Sequence, residues 1–227
     1  PNIVQILEVG ERERQLFYNA VEWVAGPTLA EHAAAKPMPP REAAHLVEVL
    51  ARAVHAAHEQ GVVHRGLRPA CIRLQPLPEG DKRRKPAPVE PPFHLAGGTT
   101  RCLPKIGDFG LARRAVEGDA ADVELHEKAP SYLSPEQAWG RTRDIGPCSD
   151  IYALGTILYE LLTGRPPFRG RTPGETLDFI RSGDPPSLYR NAPGLPADLA
   201  AVCRKAMQRN PRNRYRTALE FADDLRA

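Results

Sequence analysis

Few side chains in this sequence are placed to do chemistry together. Residues 61–74 bring His64, Arg65, Arg68 and Cys71 into one short stretch that contains no carboxylate. A lone carboxylate stands further on, in Asp108-Phe109-Gly110. The four cysteines, Cys71, Cys102, Cys148 and Cys203, form no Cys-x-x-Cys pair, and no Cys/His cluster has the spacing of a zinc site. His45, His55 and His58 lie where a helix is expected, without carboxylates at ligand spacing, and read as surface or helix-packing residues. The basic run Lys82-Arg83-Arg84-Lys85 reads as a solvated loop rather than a phosphate-binding surface. Zinc and thiol redox chemistry are thereby set aside.

The elements that must position these motifs follow from pattern and length. A chain of 227 residues with 41% apolar content can bury one substantial core, as one or two domains. The net charge is +3 and the isoelectric point about 8.8, with Lys and Arg scattered rather than striped, so nucleic acid is not an expected partner. No apolar stretch is long enough to span a bilayer, and a cytoplasmic protein with reduced thiols is expected. Residues 3–9 and 15–24, flanking the charged turn 10–14, predict a β-hairpin. Because the chain begins with strand-like residues at Pro1, further strands are expected upstream. Leu46, Leu50, Val54 and Ala57 recur at helical spacing, predicting a helix over 40–60 that stops at Gly61. Residues 75–102 hold six prolines and Gly97-Gly98, which predicts a mobile insertion in a hairpin. Further helices are predicted over 151–162, from Thr172 to about 182, over 195–208 and over 217–226. The fold class is α+β with a mostly helical core.

In order, these segments resemble the large lobe of a eukaryotic-type protein kinase. His64-Arg65-Gly66-Leu67-Arg68-Pro69-Ala70-Cys71 is similar to the family's catalytic loop, His-Arg-Asp-Leu-Lys-Pro-x-Asn. The other landmarks follow in family order: Asp108-Phe109-Gly110, Ser134-Pro135-Glu136 in place of Ala-Pro-Glu, residues 150–155, then Arg214 after Asn210-Pro211. The wording of 103–106, 130–132 and 135–138 is most similar to bacterial serine/threonine kinases. The resemblance covers the chain apart from the proline-rich stretch. It assigns 1–24 to the final small-lobe strands and the start of the hinge, and 25–227 to the large lobe with a disordered insertion at 75–102. The Gly-rich phosphate loop, strand lysine and helix glutamate are expected upstream.

Position by position, the resemblance implies a degenerate site. Gly66 stands for the aspartate base, Arg68 for the lysine, Cys71 for the metal-holding asparagine and Ala129 for the threonine. Asp108 would hold a magnesium ion, Val21 would be the gatekeeper, and residues 22–24, from Glu22 to Val24, would be the hinge backbone that holds the adenine of ATP. Arg73 falls under the adenine, where burying a guanidinium is expected to disfavour the nucleotide. The segment 111–129 carries carboxylates but no Ser, Thr or Tyr, so a phosphate switch is not expected there, and Arg65 has only carboxylates to pair with. Scaffold roles are expected for His64, Arg65 and Phe109, for Asp150 as acceptor of backbone N–H groups from the 64–65 turn, and for Glu136 with Arg214 as a buried ion pair. The function implied is a pseudokinase acting as a regulatory or protein-interaction module. An active serine/threonine kinase and a nucleotide-binding switch without transfer are the alternatives.

Overall fold

The computed structural model describes residues 1–12, 16–33, 36–77, 93–94, 101–109 and 129–227. β1 (Ile6–Arg12) pairs antiparallel with β2 (Leu16–Val21), with an irregular register between Ile6 and Glu8. The hairpin expected over 3–9 and 15–24 is thus present but displaced along the chain. Ile3 is drawn into a bridge with Ile106 instead, the Val4 N–H donating to the Ile106 carbonyl and the Ile106 N–H to the Asn2 carbonyl, each at 2.8 Å. A pairing between residues so far apart in sequence leaves no trace in local periodicity. Ile6, Leu7, Val9, Val21 and Trp23 are exposed on this hairpin and the strand that leaves it.

Thr28 caps α1 (Leu29–His32) in a reciprocal box with Glu31. α2 (Pro40–Glu59) begins at a proline, whose missing N–H has no partner to lose in a first turn. It ends before Gly61, which adopts a φ of 72°. Its apolar stripe Leu46, Val47, Leu50, Ala51 and Val54 is buried throughout. β3 (Ile72–Pro76) and β5 (Arg101–Ile106) pair antiparallel, and β4 (Phe93–His94) adds to the other edge of β5, giving the order β3-β5-β4. The proline-rich stretch therefore contributes a strand pair; its residues 78–92 and 95–100 lie outside the described residues.

The remaining helices are α3 (Pro135–Ala138), α4 (Pro147–Thr163), α5 (Pro173–Ser182), α6 (Leu188–Asn191), α7 (Ala197–Ala206) and α8 (Ala218–Arg226). α4 is apolar nearly all round because it is surrounded, and α2, α7 and α8 lie against it. Ile151, Leu154, Ile157 and Leu158 on it are fully buried, each worth ~1.5–3 kcal/mol in transfer from water. Gly155 is what lets α7 approach. A Cβ there would lie 2.8 Å from Met207 Cγ and 2.9 Å from Ala206 Cβ. No helix among the described residues is long and apolar enough to cross a membrane.

Candidate functional site

The stretch between α2 and β3 is held from below by Asp150, in the first turn of α4. Its buried carboxylate accepts the backbone N–H groups of His64 and Arg65, each at 2.8 Å, as the sequence implied. It also contacts His58 Nε2 at 2.8 Å. His58, expected to be a surface or helix-packing residue, packs from the last turn of α2 against α4 as a partner of Asp150. These bonds hold Arg65 at a φ of 65°, a left-handed conformation that non-glycine residues enter at a cost. Gln137 Nε2 donates to the Arg65 carbonyl at 2.6 Å and completes the clamp. Among the described residues Arg65 Nε has no hydrogen-bond partner, and of the acidic segment expected to face it, 111–129, all but Ala129 lies outside them.

Gly66 is buried and donates its N–H to His64 Nδ1 at 3.3 Å. Its φ is not positive, so the backbone does not demand a glycine. The position carries no side chain. His64 spans to the Asp108 motif: its Nε2 lies 2.9 Å from the Gly107 carbonyl, and its ring packs on Phe109 with centroids 4.6 Å apart. Asp108 follows at a φ of 64°, and left-handed aspartates recur at strained functional turns.

Arg68 decides what Asp108 is free to do. Its Nη2 donates to Asp108 Oδ2 at 2.8 Å and its Nη1 to the Gly66 carbonyl at 3.3 Å. The fork thus bridges the Gly66 carbonyl and the Asp108 carboxylate, the positions where the resemblance expects a base and a metal ligand. Cys71, closing the 3₁₀ turn Pro69–Cys71, turns its thiol inward, with Sγ 2.9 Å from the Arg68 carbonyl and accepting the Arg68 N–H at 3.3 Å. Burial pushes this thiol up to about 11, so at neutral pH it is neither a thiolate nor an oxygen donor. Magnesium wants several hard oxygen ligands in octahedral array. Of the two positions that the resemblance expects to hold it, Cys71 offers sulfur and only Asp108 offers oxygen, one of its two oxygens being paired with a guanidinium, so the expected donor set is incomplete. Ala129 precedes the 3₁₀ turn Pro130–Tyr132 and brings no hydroxyl.

Above this loop lies a cleft of about 480 Å³, lined among others by Val4, Val21, Val24, Arg73, Cys71 and Asp108. That volume suits a small-molecule ligand. The expected hinge residues therefore do gather with Asp108 around one cavity. The Glu22 carboxylate accepts from Lys105 Nζ and from the Gln5 N–H, and the Lys105 contact holds its carboxyl below the ordinary value. Arg73 requires a correction. Its side chain is exposed, with Nη1 donating to the Gly26 carbonyl at 3.1 Å, so the expected penalty for burying a guanidinium does not arise. Strand alternation explains it: Ile72 and Leu74 face the core and Arg73 faces out.

Glu136 and Arg214 form the expected buried pair, with Nη1–Oε1 at 2.7 Å and Nη2–Oε2 at 2.8 Å. Arg214 also donates to the carbonyls of Cys148, Gln208 and Arg209, and Ser149 Oγ donates to Glu136. Gln137, Ser149 and His58 in these networks carry no signal of their own in the sequence, since each is defined by a partner far along the chain.

Residues 1–223 match the protein kinase domain family. The chain is 34% identical to serine/threonine-protein kinase PknB of Mycobacterium leprae, over 99% of this chain and 33% of that protein. It is 35% identical to PknB of Mycolicibacterium smegmatis, again over 99% of this chain and 33% of the relative. With serine/threonine-protein kinase PrkC of Bacillus subtilis the identity is 32%, over 100% of this chain and 31% of the relative. The chain spans about a third of the length of these curated relatives.

Proposed function

The chain belongs to the protein kinase family, and from that premise we propose that it is a non-catalytic member whose large lobe serves as a regulatory or protein-interaction module. The observation that carries this reading is the Arg68–Asp108 pair at 2.8 Å, set beside a buried Gly66 and a buried Cys71 thiol. Phosphoryl transfer depends on positioning, on metal ions that neutralise developing charge, and on a group that takes the substrate hydroxyl's proton. Gly66 has no group to take a proton, a contribution of ~10²–10⁴ in rate. With Asp108 held by Arg68 and no oxygen at Cys71, the metal arm is missing from the same place.

The test is a phosphotransfer assay with ATP, magnesium and a generic protein substrate. No transfer above background is expected; transfer that disappears in Asp108→Ala would overturn the proposal. The retained cleft of about 480 Å³ favours one second reading, a nucleotide-binding switch without transfer. A thermal-shift titration with ATP, with and without magnesium, separates the two. A shift in either condition supports the switch, and none in both leaves the interaction module.

A further inference from the structure

We propose that the groove between the end of α3 and the segment joining α7 to α8 is a docking site for an acidic segment of a partner protein. The groove encloses about 650 Å³ and is walled by Trp139, Arg141, Asp144, Arg209 and Arg212, with Glu136 at its base. The proposal rests on the interaction-module reading for the existence of a partner. The groove itself shares no lining residue with the cleft above the catalytic loop.

Two features set this groove apart from an ordinary charged surface. The first is its charge. Three guanidiniums face one free carboxylate, that of Asp144, because Glu136 is already neutralised by its bidentate pair with Arg214. Arg141 and Arg212 are exposed and hold no carboxylate among the described residues, while Arg209 is fixed in place by donating Nη2 to the Arg181 carbonyl. The second is Trp139, which is 53% exposed. The guanidinium carbons of Arg181 and Arg141 lie 5.5 and 5.8 Å from its ring centroid, inside the range of cation–π attraction. Arg181 is itself held by the Ala138 carbonyl and by Asp178. The indole is therefore presented in a set orientation, with its apolar surface open to water. Trp and Arg are both residue types enriched among energetically dominant interface positions.

The occupant that satisfies both features is a peptide with several carboxylates around one apolar side chain. The carboxylates would meet Arg141, Arg209 and Arg212, and the apolar group would cover Trp139. A nucleic-acid backbone fits less well. It would pass Asp144 with every phosphate charged, and it would need a positive track continuing beyond the groove, whereas the chain's basic residues are scattered.

The experiment uses the full chain and a fluorescein-labelled, glutamate-rich peptide with one central leucine, followed by anisotropy. Binding is expected to weaken as salt rises, as charge pairing at a rim requires. Arg141→Glu and Arg212→Glu should each weaken it by roughly tenfold or more, since a like charge replaces an attractive one. Trp139→Ala should weaken it comparably, while Arg226→Glu, outside the groove, should leave it unchanged. The groove variants are surface changes, and unchanged melting temperatures will show that folding is intact. Binding unaffected by the groove substitutions, no binding at all, or equal competition by a single-stranded oligonucleotide would each overturn the proposal. Phosphate transfer, by contrast, would count against the non-catalytic reading, and a nucleotide-induced thermal shift would favour the nucleotide-binding switch; neither result bears on the groove.

Discussion

Arg214→Ala should be among the most damaging single substitutions in this chain, and more damaging than Glu136→Ala. The Arg214 side chain is fully buried, and its guanidinium serves Glu136 twice and the carbonyls of Cys148, Gln208 and Arg209 once each. Truncating it leaves a buried carboxylate with Ser149 Oγ and its own backbone N–H as donors, together with three carbonyls that lose a charged partner. Breaking a buried pair typically costs ~3–5 kcal/mol, and the stranded carbonyls place this variant at the upper end. Glu136→Ala leaves the guanidinium bonded to its three carbonyls and belongs near the lower end, about 3 kcal/mol. Because a domain's whole stability is ~5–15 kcal/mol, Arg214→Ala removes a large share of it. Urea denaturation followed by circular dichroism measures both variants, and a double-mutant cycle isolates their coupling. Acid titration gives a second readout. Burial pushes the Glu136 carboxyl up, but the Arg214 guanidinium more than offsets this and holds it below its ordinary 4.5. The native pair therefore contributes its full stability above that ordinary value and loses it as pH falls through the depressed one. Without Arg214 burial dominates, the carboxyl is raised, and stability falls instead as pH rises through the ordinary value. A penalty below roughly 1 kcal/mol for Arg214→Ala, within the range of an exposed pair, or two substitutions that add without coupling, would refute the reasoning.

Gly66→Asp alone should not confer phosphate transfer, because Asp108 stays with Arg68 and Cys71 still supplies no oxygen; measurable transfer by that single variant in a radiolabelled-ATP assay would contradict the account of the site. The Cys71 thiol, 5% exposed and pushed up to about 11, should react slowly with a maleimide in the native protein at pH 8 and rapidly in urea, as read by peptide mass spectrometry. Gly155→Ala should destabilise by ~1–3 kcal/mol, because its added methyl enters the contact with Ala206 and Met207. A neutral result in a thermal melt would mean that α7 can shift away without loss.

What could be read from the sequence was whatever the chain writes locally. The landmarks from His64 to Arg214 stand in order, α2 and α5 begin at their prolines, and the expected Glu136–Arg214 and Asp150 contacts are present because family motifs carry their partners with them. What stayed hidden depends on residues meeting from distant positions. Ile3 left the hairpin for Ile106, His58 turned inward to Asp150, and Trp139 gathered its arginines from α5 and the loop after α3. Arg73 shows the opposite error, in which a role taken from the resemblance was given a burial that strand alternation does not allow. Arg68 joins the two kinds of information. From sequence it carries the same positive charge as the lysine the resemblance expects, on a bulkier frame. In the fold, the planar fork with its several donors reaches Asp108 and the Gly66 carbonyl together. A single side chain thereby pairs with the Asp108 carboxylate and braces the loop at Gly66. On the proposed reading, the missing carboxylate at Gly66 and the Arg68–Asp108 pair are two separate departures in one loop, which is why an aspartate at position 66 by itself is not expected to confer chemistry.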